Sequence, residues 1–115
     1  MPNGRRMNRL NDQIRDELAE LLRDARDPRL HGVISITGVE TTPDLRTSRI
    51  FISVLGDEKE AEGTMVHIRH ATSFFRRELA ARLNLRHTPE LDFRLDRTIA
   101  EGARIQELLR EIQAQ

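Results

Sequence analysis

Five arginines and one acid fall on residues 69–86, a stretch with helical spacing that carries three small residues in its middle, Ala71, Thr72 and Ser73. A guanidinium group offers paired hydrogen-bond donors and keeps its charge, so it suits phosphate. Small residues let a second backbone come close to such donors. The stretch therefore predicts an RNA-binding helix with a break at the small residues.

Within this stretch Arg76 and Arg77 are the strongest candidates for phosphate contacts, because neither has acidic partners on both sides along the helix. Arg82 stands four residues after Glu78, a spacing that favours a surface ion pair worth about 0.3 kcal/mol. A solvated helix face would also explain a run of charges. The break beside Arg76 and Arg77 favours the RNA-binding interpretation.

A second group of arginines lies near the N-terminus, where the first nine residues contain no acid. Phosphate contacts from arginines would supply most of the affinity and little sequence reading. The predicted RNA-binding residues are Arg5, Arg6, Arg9, Ala71, Thr72, Ser73, Arg76, Arg77 and Arg86.

Sequence patterns of catalysis or metal binding are missing. The chain has no cysteine, which excludes disulfides, thiolate zinc sites and cysteine nucleophiles. His67 and His70 stand three residues apart but lack the further ligands that zinc requires. The sequence contains neither a GxSxG motif nor a glycine-rich phosphate loop. We therefore expect a protein that is not an enzyme and needs no cofactor or metal.

The composition fits one domain of 115 residues with an aliphatic core, because the chain has four Phe and neither Trp nor Tyr. Its apolar runs are too short for a membrane span. Its formal net charge is zero, which argues against a general RNA coat and favours docking one face on a defined site. A soluble, cytoplasmic monomer is expected.

Apolar spacing predicts the elements that position these residues. Spacings of three and four indicate a helix from Asn8 to about Ala25, which Asp27-Pro28 ends because proline disfavours a helical residue before it. Alternation on a period of two indicates half-buried strands. The predicted strands are Val33–Val39, Thr47–Val54 and Glu90–Asp96, the first two joined by a short turn as an antiparallel pair.

The middle of the chain predicts a broken helix. Gly56–Gly63 is polar and predicts a loop, and a helix follows over Thr64–Leu85. The apolar spacing slips at Ala71–Ser73, which indicates a kink, and Pro89 prevents further helix. A last amphipathic helix is expected over Ile99–Ile112. The predicted order is α-β-β-α-kink-α-β with an optional C-terminal helix.

These spacings resemble the bacterial ribosome-binding factor A family over about residues 5–110. The family's Ala-x-Gly element corresponds to Ala71-Thr72-Ser73, where serine replaces the glycine. The other matching motifs, in order, are Arg9, Asp27-Pro-Arg-Leu30, Val39-Glu40, Asp44-Leu45, Phe74–Arg76, Leu85-Arg86, Pro89-Glu-Leu-Asp-Phe93 with Asp96, and Glu101-Gly102.

The resemblance implies an α+β, type II KH-like fold in which a helix-kink-helix replaces the usual GXXG loop. The expected domains are a KH-like rRNA-binding domain at 1–97 and a C-terminal helical extension at 98–115. The resemblance also implies a non-catalytic assembly factor that binds the free 30S small ribosomal subunit. Such a factor assists late 16S rRNA maturation at the 5′ end, has a role in cold adaptation, and is released by a ribosome-associated GTPase.

A second interpretation from the residues stays open. The arginine face could dock an acidic protein partner, which would make the chain a protein-interaction domain. The two interpretations differ in the salt dependence of binding to rRNA fragments and to proteins.

Overall fold

The computed structural model describes residues 2–24, 34–97 and 108–113. One helix precedes two strands, and a broken helical segment leads to a third strand. The elements are α1 (Pro2–Asp24), β1 (Ile34–Thr41), β2 (Thr47–Val54), α2 (Glu58–His70), α3 (Thr72–Leu83) and β3 (Glu90–Leu95). The predicted order α-β-β-α-kink-α-β is confirmed.

The three strands form one sheet in which β2 lies between β1 and β3. β1 and β2 are antiparallel, as predicted, with a bulge between Ile36 and Gly38. β2 and β3 are parallel, an arrangement that needs a long crossover, which α2 and α3 supply. The start of β3 lies beside the β1–β2 turn, since the Glu90 N–H donates to the Arg46 carbonyl over 2.8 Å.

The helices cover one face of the sheet and bury its alternate residues. Ile50 and Ile52 of β2 are fully buried, and Phe93 of β3 lies opposite Ile50. This confirms the buried strand faces that the period-two alternation predicts. The rest of the core comes mainly from the helices, through Ile14, Leu18, Leu21, Leu22, Met65, Ile68, Phe75 and Leu79, with Leu91 from β3.

Two helices begin earlier than the sequence predicts. α1 begins at Pro2 rather than Asn8, and proline is well suited to a first helical turn because no intrahelical partner is needed there. α2 begins within Gly56–Gly63, so the prediction of a loop there was wrong. The Asp57 carboxylate caps this helix by accepting from the Glu60 N–H over 2.7 Å.

Some predicted features lie outside the described residues. They are the helix end at Asp27-Pro28, Val33 of the first strand, and residues 99–107 of the predicted C-terminal helix. Residues 108–113 are helical and exposed. No helix among the described residues is both long and apolar enough to cross a membrane.

Candidate nucleic-acid interface

The break between α2 and α3 lies at Ala71, within the predicted kink. Its φ and ψ are −92° and 9°, and its N–H is shared between the carbonyls of His67 and Ile68, each 3.1 Å away. The Thr72 hydroxyl donates to the Arg69 carbonyl over 2.7 Å. α3 starts here without a side-chain cap, so its first-turn N–H groups are not covered by a capping residue.

A groove of about 480 Å³ lies between the start of α3 and the loop that follows α3. This surface is termed the kink groove. Its lining residues are Thr72, Ser73, Arg76, Arg77, Ala80, Arg86, His87, Thr88 and Glu90. Five of the nine predicted binding residues therefore line one surface, and a sixth, Ala71, forms the adjacent break.

The groove is built by one helix face and a sharp return of the chain. Ser73, Arg77 and Ala80 recur at spacings of four and three, so they share a face of α3. α3 ends at Leu83, and the capping residue Asn84 that follows adopts the left-handed conformation, with φ 50°. Asparagine tolerates this conformation better than most residues. The loop after Asn84 then faces α3 across the groove.

Arg76 braces the groove. Its Nε donates to the Pro89 carbonyl over 3.2 Å, and its Nη2 donates to the Thr88 carbonyl over 2.8 Å. The Glu90 carboxylate lies 3.4 Å from the same Nη2. Arg76 has no acidic partners on both sides along the helix, as the sequence indicates, but β3 supplies one from a distant part of the chain. Arg76 ties the two walls of the groove together.

Arg69 makes a matching contact to the edge strand β3. Its Nε and Nη2 both donate to the Phe93 carbonyl, over 3.3 and 3.2 Å. That carbonyl points away from β2, because even-numbered residues of this segment bond to β2, as the Asp96 N–H does to the Ile52 carbonyl over 2.7 Å. Arg69 thus covers a backbone acceptor at an open sheet edge and ties α2 to β3.

Arg82 forms ion pairs with α1. Its Nη1 lies 3.1 Å from Glu17 Oε2 and 3.4 Å from Glu20 Oε1. The hydrogen bond to Glu17 raises the pKa of Arg82 above its ordinary value. The predicted ion pair with Glu78 was wrong, because α1 brings two carboxylates to the other side of Arg82.

Arg77 and Arg86 are the available cations of the kink groove. Both are exposed, and neither guanidinium group donates a hydrogen bond or pairs with a carboxylate within the described ranges. The groove also reaches the uncapped first turn of α3, because Thr72 and Ser73 line it. Guanidinium and hydroxyl donors around one groove match the acceptor oxygens of phosphate.

The histidines are dispersed. His67 and His70 lie on α2, whereas His87 lines the kink groove. No group of three or more His, Cys, Asp or Glu side chains is arranged to hold a metal ion in the part of the chain that the structure describes. The spacing of the two histidines on α2 therefore does not indicate a metal site.

The three remaining predicted residues lie on the exposed start of α1, namely Arg5, Arg6 and Arg9. They are part of a helix and form a second surface. A pocket of about 320 Å³ there is lined by Arg6, Met7, Leu10, Pro43 and Leu45. This surface is termed the turn pocket, because Pro43 and Leu45 belong to the β1–β2 turn. Sequence reasoning missed its apolar residues, which come from distant parts of the chain.

The sequence matches the family model described as Ribosome-binding factor A over residues 6–109. A relative from Acetivibrio thermocellus, named Ribosome-binding factor A, is 40% identical over 111 residues. The matched region covers 96% of this chain and 90% of the relative.

Solved structures share the fold. The crystal structure of ribosome-binding factor A from Thermus thermophilus has a TM-score of 0.69 and 25% identity, covering 77% of this chain and 94% of that one. A homology model of that factor, fitted into a cryo-EM map of a 30S–RbfA complex, has a TM-score of 0.64 and 26% identity, covering 75% and 90%. The α+β, KH-like fold class is thereby confirmed. The chain belongs to the ribosome-binding factor A family.

Proposed function

We propose that this chain is a ribosome assembly factor that binds the free 30S small ribosomal subunit through the kink groove. The proposal rests mainly on one observation. Arg77 and Arg86 have no partner among the described residues, and they line a groove beside the start of α3, which has no side-chain cap. A relative from Thermus thermophilus has been fitted into a 30S complex, which supports the choice of subunit. The ligand would be structured 16S rRNA.

Phosphate oxygens suit this groove well. Arg77 and Arg86 can each give a bidentate contact, and Ser73 adds a hydroxyl. Such contacts set affinity and register and read little sequence, which fits a factor that recognises one folded rRNA site by its shape. The zero net charge of the chain confines attraction to the faces where arginines cluster.

The other predicted residues would contribute in different ways. Ala71 would set the break, and Thr72 would line the groove beside it. Arg76 would act on RNA indirectly, by holding the two walls of the groove. Phosphate contacts from the start of α1 would come from Arg5, Arg6 and Arg9.

The cellular role that we propose follows the family. The factor would act late in 16S rRNA maturation, assist processing of the 5′ end and support growth in the cold. The domain at 1–97 would carry rRNA binding, and 98–115 would be a helical extension. The protein would be a cytoplasmic, non-catalytic monomer without a cofactor, released by a ribosome-associated GTPase.

Co-sedimentation tests the proposal. The protein is centrifuged with free 30S subunits, free 50S subunits or assembled 70S ribosomes over a series of salt concentrations. We expect binding to free 30S subunits that weakens steeply with salt, because phosphate contacts release counterions. Binding that persists after the rRNA is digested would instead support a protein-interaction domain with an acidic partner.

A further inference from the structure

The β1–β2 turn is braced by its own hydrogen bonds. The Leu45 N–H donates to the Thr42 carbonyl, and the Thr42 N–H donates to the Thr47 carbonyl, each over 2.8 Å. Asp44 Oδ1 accepts from the Thr42 hydroxyl over 2.7 Å and from the Arg46 N–H over 3.0 Å. A turn held in this way is ordered before a partner arrives, so binding costs it little conformational freedom.

This braced turn holds an apolar side chain toward solvent. Leu45 has φ 63°, in the left-handed region where leucine is strained and Asn or Gly is tolerated. Leu45 is also 47% exposed, so burial in the core does not account for it. Strained residues of this kind concentrate at binding sites. Leu45 therefore marks the turn as a candidate contact surface.

Leu45 forms one wall of the turn pocket. The other apolar walls are Pro43 of the turn and Met7 and Leu10, which lie one helical turn apart on α1. The volume of about 320 Å³ is at the small end of pockets that hold organic ligands. This size suits one flat ring system.

Arg6 lines this apolar pocket, and further arginines lie on the two segments that form it. Arg5, Arg6 and Arg9 project from the exposed start of α1. Arg46 belongs to the turn, and 86% of its side chain is exposed. One oxygen of Asp44 accepts the turn's own hydrogen bonds, and the other lies 3.9 Å from Arg46. The excess of positive charge favours an anionic partner that also has an apolar body.

The turn pocket and the kink groove lie toward the same end of the sheet. Glu90 lines the groove, and its N–H donates to the Arg46 carbonyl over 2.8 Å. RNA that occupies the groove can therefore extend to the turn. In proteins that kink DNA, leucine, methionine and proline side chains insert between base steps and contact the partly unstacked bases. Aliphatic side chains can thus provide a surface for a base.

We propose that the turn pocket receives one unstacked base of small-subunit rRNA, with the phosphates on either side of that base contacting Arg6 and Arg46. The inference rests on the proposed 30S binding and adds to it a second contact of different chemistry. The kink groove holds backbone, whereas the turn pocket holds a base.

Substitution of Leu45 separates the two contacts. Leu45→Asn removes the apolar wall with a side chain of similar length that tolerates the left-handed backbone. Met7→Gln changes the same pocket from the helix side. Leu55→Asn is the matched control, because Leu55 is 74% exposed and follows the opposite end of β2. Base-specific chemical probing of 16S rRNA in 30S complexes reports which bases each variant covers.

We expect the wild type and Leu55→Asn to protect an unpaired base that Leu45→Asn and Met7→Gln leave reactive. Leu45→Asn should also weaken 30S binding by about tenfold. The slope of log affinity against log salt should stay unchanged, because the substitution removes no charge. The bound variants should keep the backbone protections that the kink groove produces.

The possible failures are distinguishable. Identical base reactivity with bound wild type and bound Leu45→Asn would overturn the inference and leave the proposed function intact. Loss of a crosslink to a ribosomal protein, without a change at any base, would assign the pocket to a protein partner and also overturn it. Wild-type protein that does not bind 30S subunits would overturn both.

Discussion

The kink groove and the turn pocket lie at the same end of the sheet but differ in chemistry and in support. The groove is polar and presents Arg77 and Arg86 from its two walls. The pocket is mainly apolar, with Leu45 in one wall and one arginine, Arg6, in its lining. Tertiary contacts of Arg76 hold the groove together. Hydrogen bonds within the turn hold Leu45 in place.

The difference shows that the hydrogen-bond acceptors around an arginine decide whether it stabilises the fold or remains available to bind a ligand. Arg69 and Arg76 donate to backbone carbonyls in and before β3, and Arg82 pairs with two carboxylates of α1. Arg77 is the sequence neighbour of Arg76 and yet stays exposed. A guanidinium whose donors are already used holds the fold, and an exposed one is left for a phosphate.

The largest expected effect tests whether the kink groove depends on the hydrophobic core more than the turn pocket does. Phe93→Ala should lower the free energy of unfolding by about 3–5 kcal/mol, because Phe93 is 3% exposed and its ring lies 5.7 Å from that of Phe75. Hydrogen exchange should rise more in α3 than in the β1–β2 turn, since the lost ring packs against Phe75 of α3.

Phe74→Ala is the control for this substitution. Phe74 is 48% exposed and makes an edge contact with Phe75 at 5.6 Å, so its loss should cost at most about 1.5 kcal/mol. Urea denaturation measures both variants. Equal destabilisation by the two substitutions would mean that β3 does not carry the core beneath the groove.

The next effect tests the cations of the groove. Arg77→Ala/Arg86→Ala should fold normally and reduce the log–log salt slope of 30S binding by about 1.4–1.8, because each phosphate contact contributes roughly 0.7–0.9. The charge-matched control is Arg49→Ala/Arg94→Ala, which removes two exposed arginines from β2 and β3. A slope that changes equally in both variants would remove the distinction between the groove and the rest of the surface.

A smaller effect distinguishes neighbouring arginines at constant charge. Arg76→Lys should lower the free energy of unfolding by about 1 kcal/mol and weaken 30S binding, because an ammonium cannot reproduce the forked contact to two carbonyls. Arg77→Lys should retain stability and most of the binding, since phosphate accepts a point charge. Denaturation and salt titration measure both. Equal losses in the two lysine variants would contradict the brace role of Arg76.

Local patterns predict most of the fold. Alternation at Ile50 and Ile52 indicates a buried strand face, and a slip in apolar spacing beside small residues indicates the break at Ala71. The start of α2 was missed because Asp57–Glu62 has the composition of a polar loop. The Asp57 carboxylate caps this helix start, and its first turns also bury Ala61 and Met65.

The candidate site is predictable only where sequence neighbours are also spatial neighbours. Small residues and arginines of α3 share a helix face, so the groove wall follows from spacing. The partner of Arg76 comes from β3 and that of Arg82 from α1, at distances along the chain that no local pattern covers. Met7 and Leu45 both line the turn pocket. They lie in different elements, so helical periodicity cannot predict that they are close in space.

The smallest expected effect is one of pH, and it falls on the turn pocket alone. The hydrogen bond from the Thr42 hydroxyl, and next that from the Arg46 backbone N–H, lowers the pKa of Asp44 below its ordinary value of 3.8. A carboxylate with a lowered pKa stabilises the folded turn above the ordinary value, and that contribution is lost as the pH falls through the lowered one. The wild type should therefore be more stable than Asp44→Asn near neutral pH, and this difference in stability should disappear below about pH 4.

An NMR titration of backbone amides checks this effect and its location. The Arg46 amide should titrate in the wild type with a pKa below 3.8 and should not titrate in Asp44→Asn, because the amide side chain carries no charge. The Thr72 and Ser73 amides of the kink groove should not follow the Asp44 titration, since the hydrogen bonds of Asp44 lie within the turn. A midpoint at or above 3.8 would show that these bonds do not hold the carboxylate, and the turn pocket would then lack the rigid support that distinguishes it from the groove.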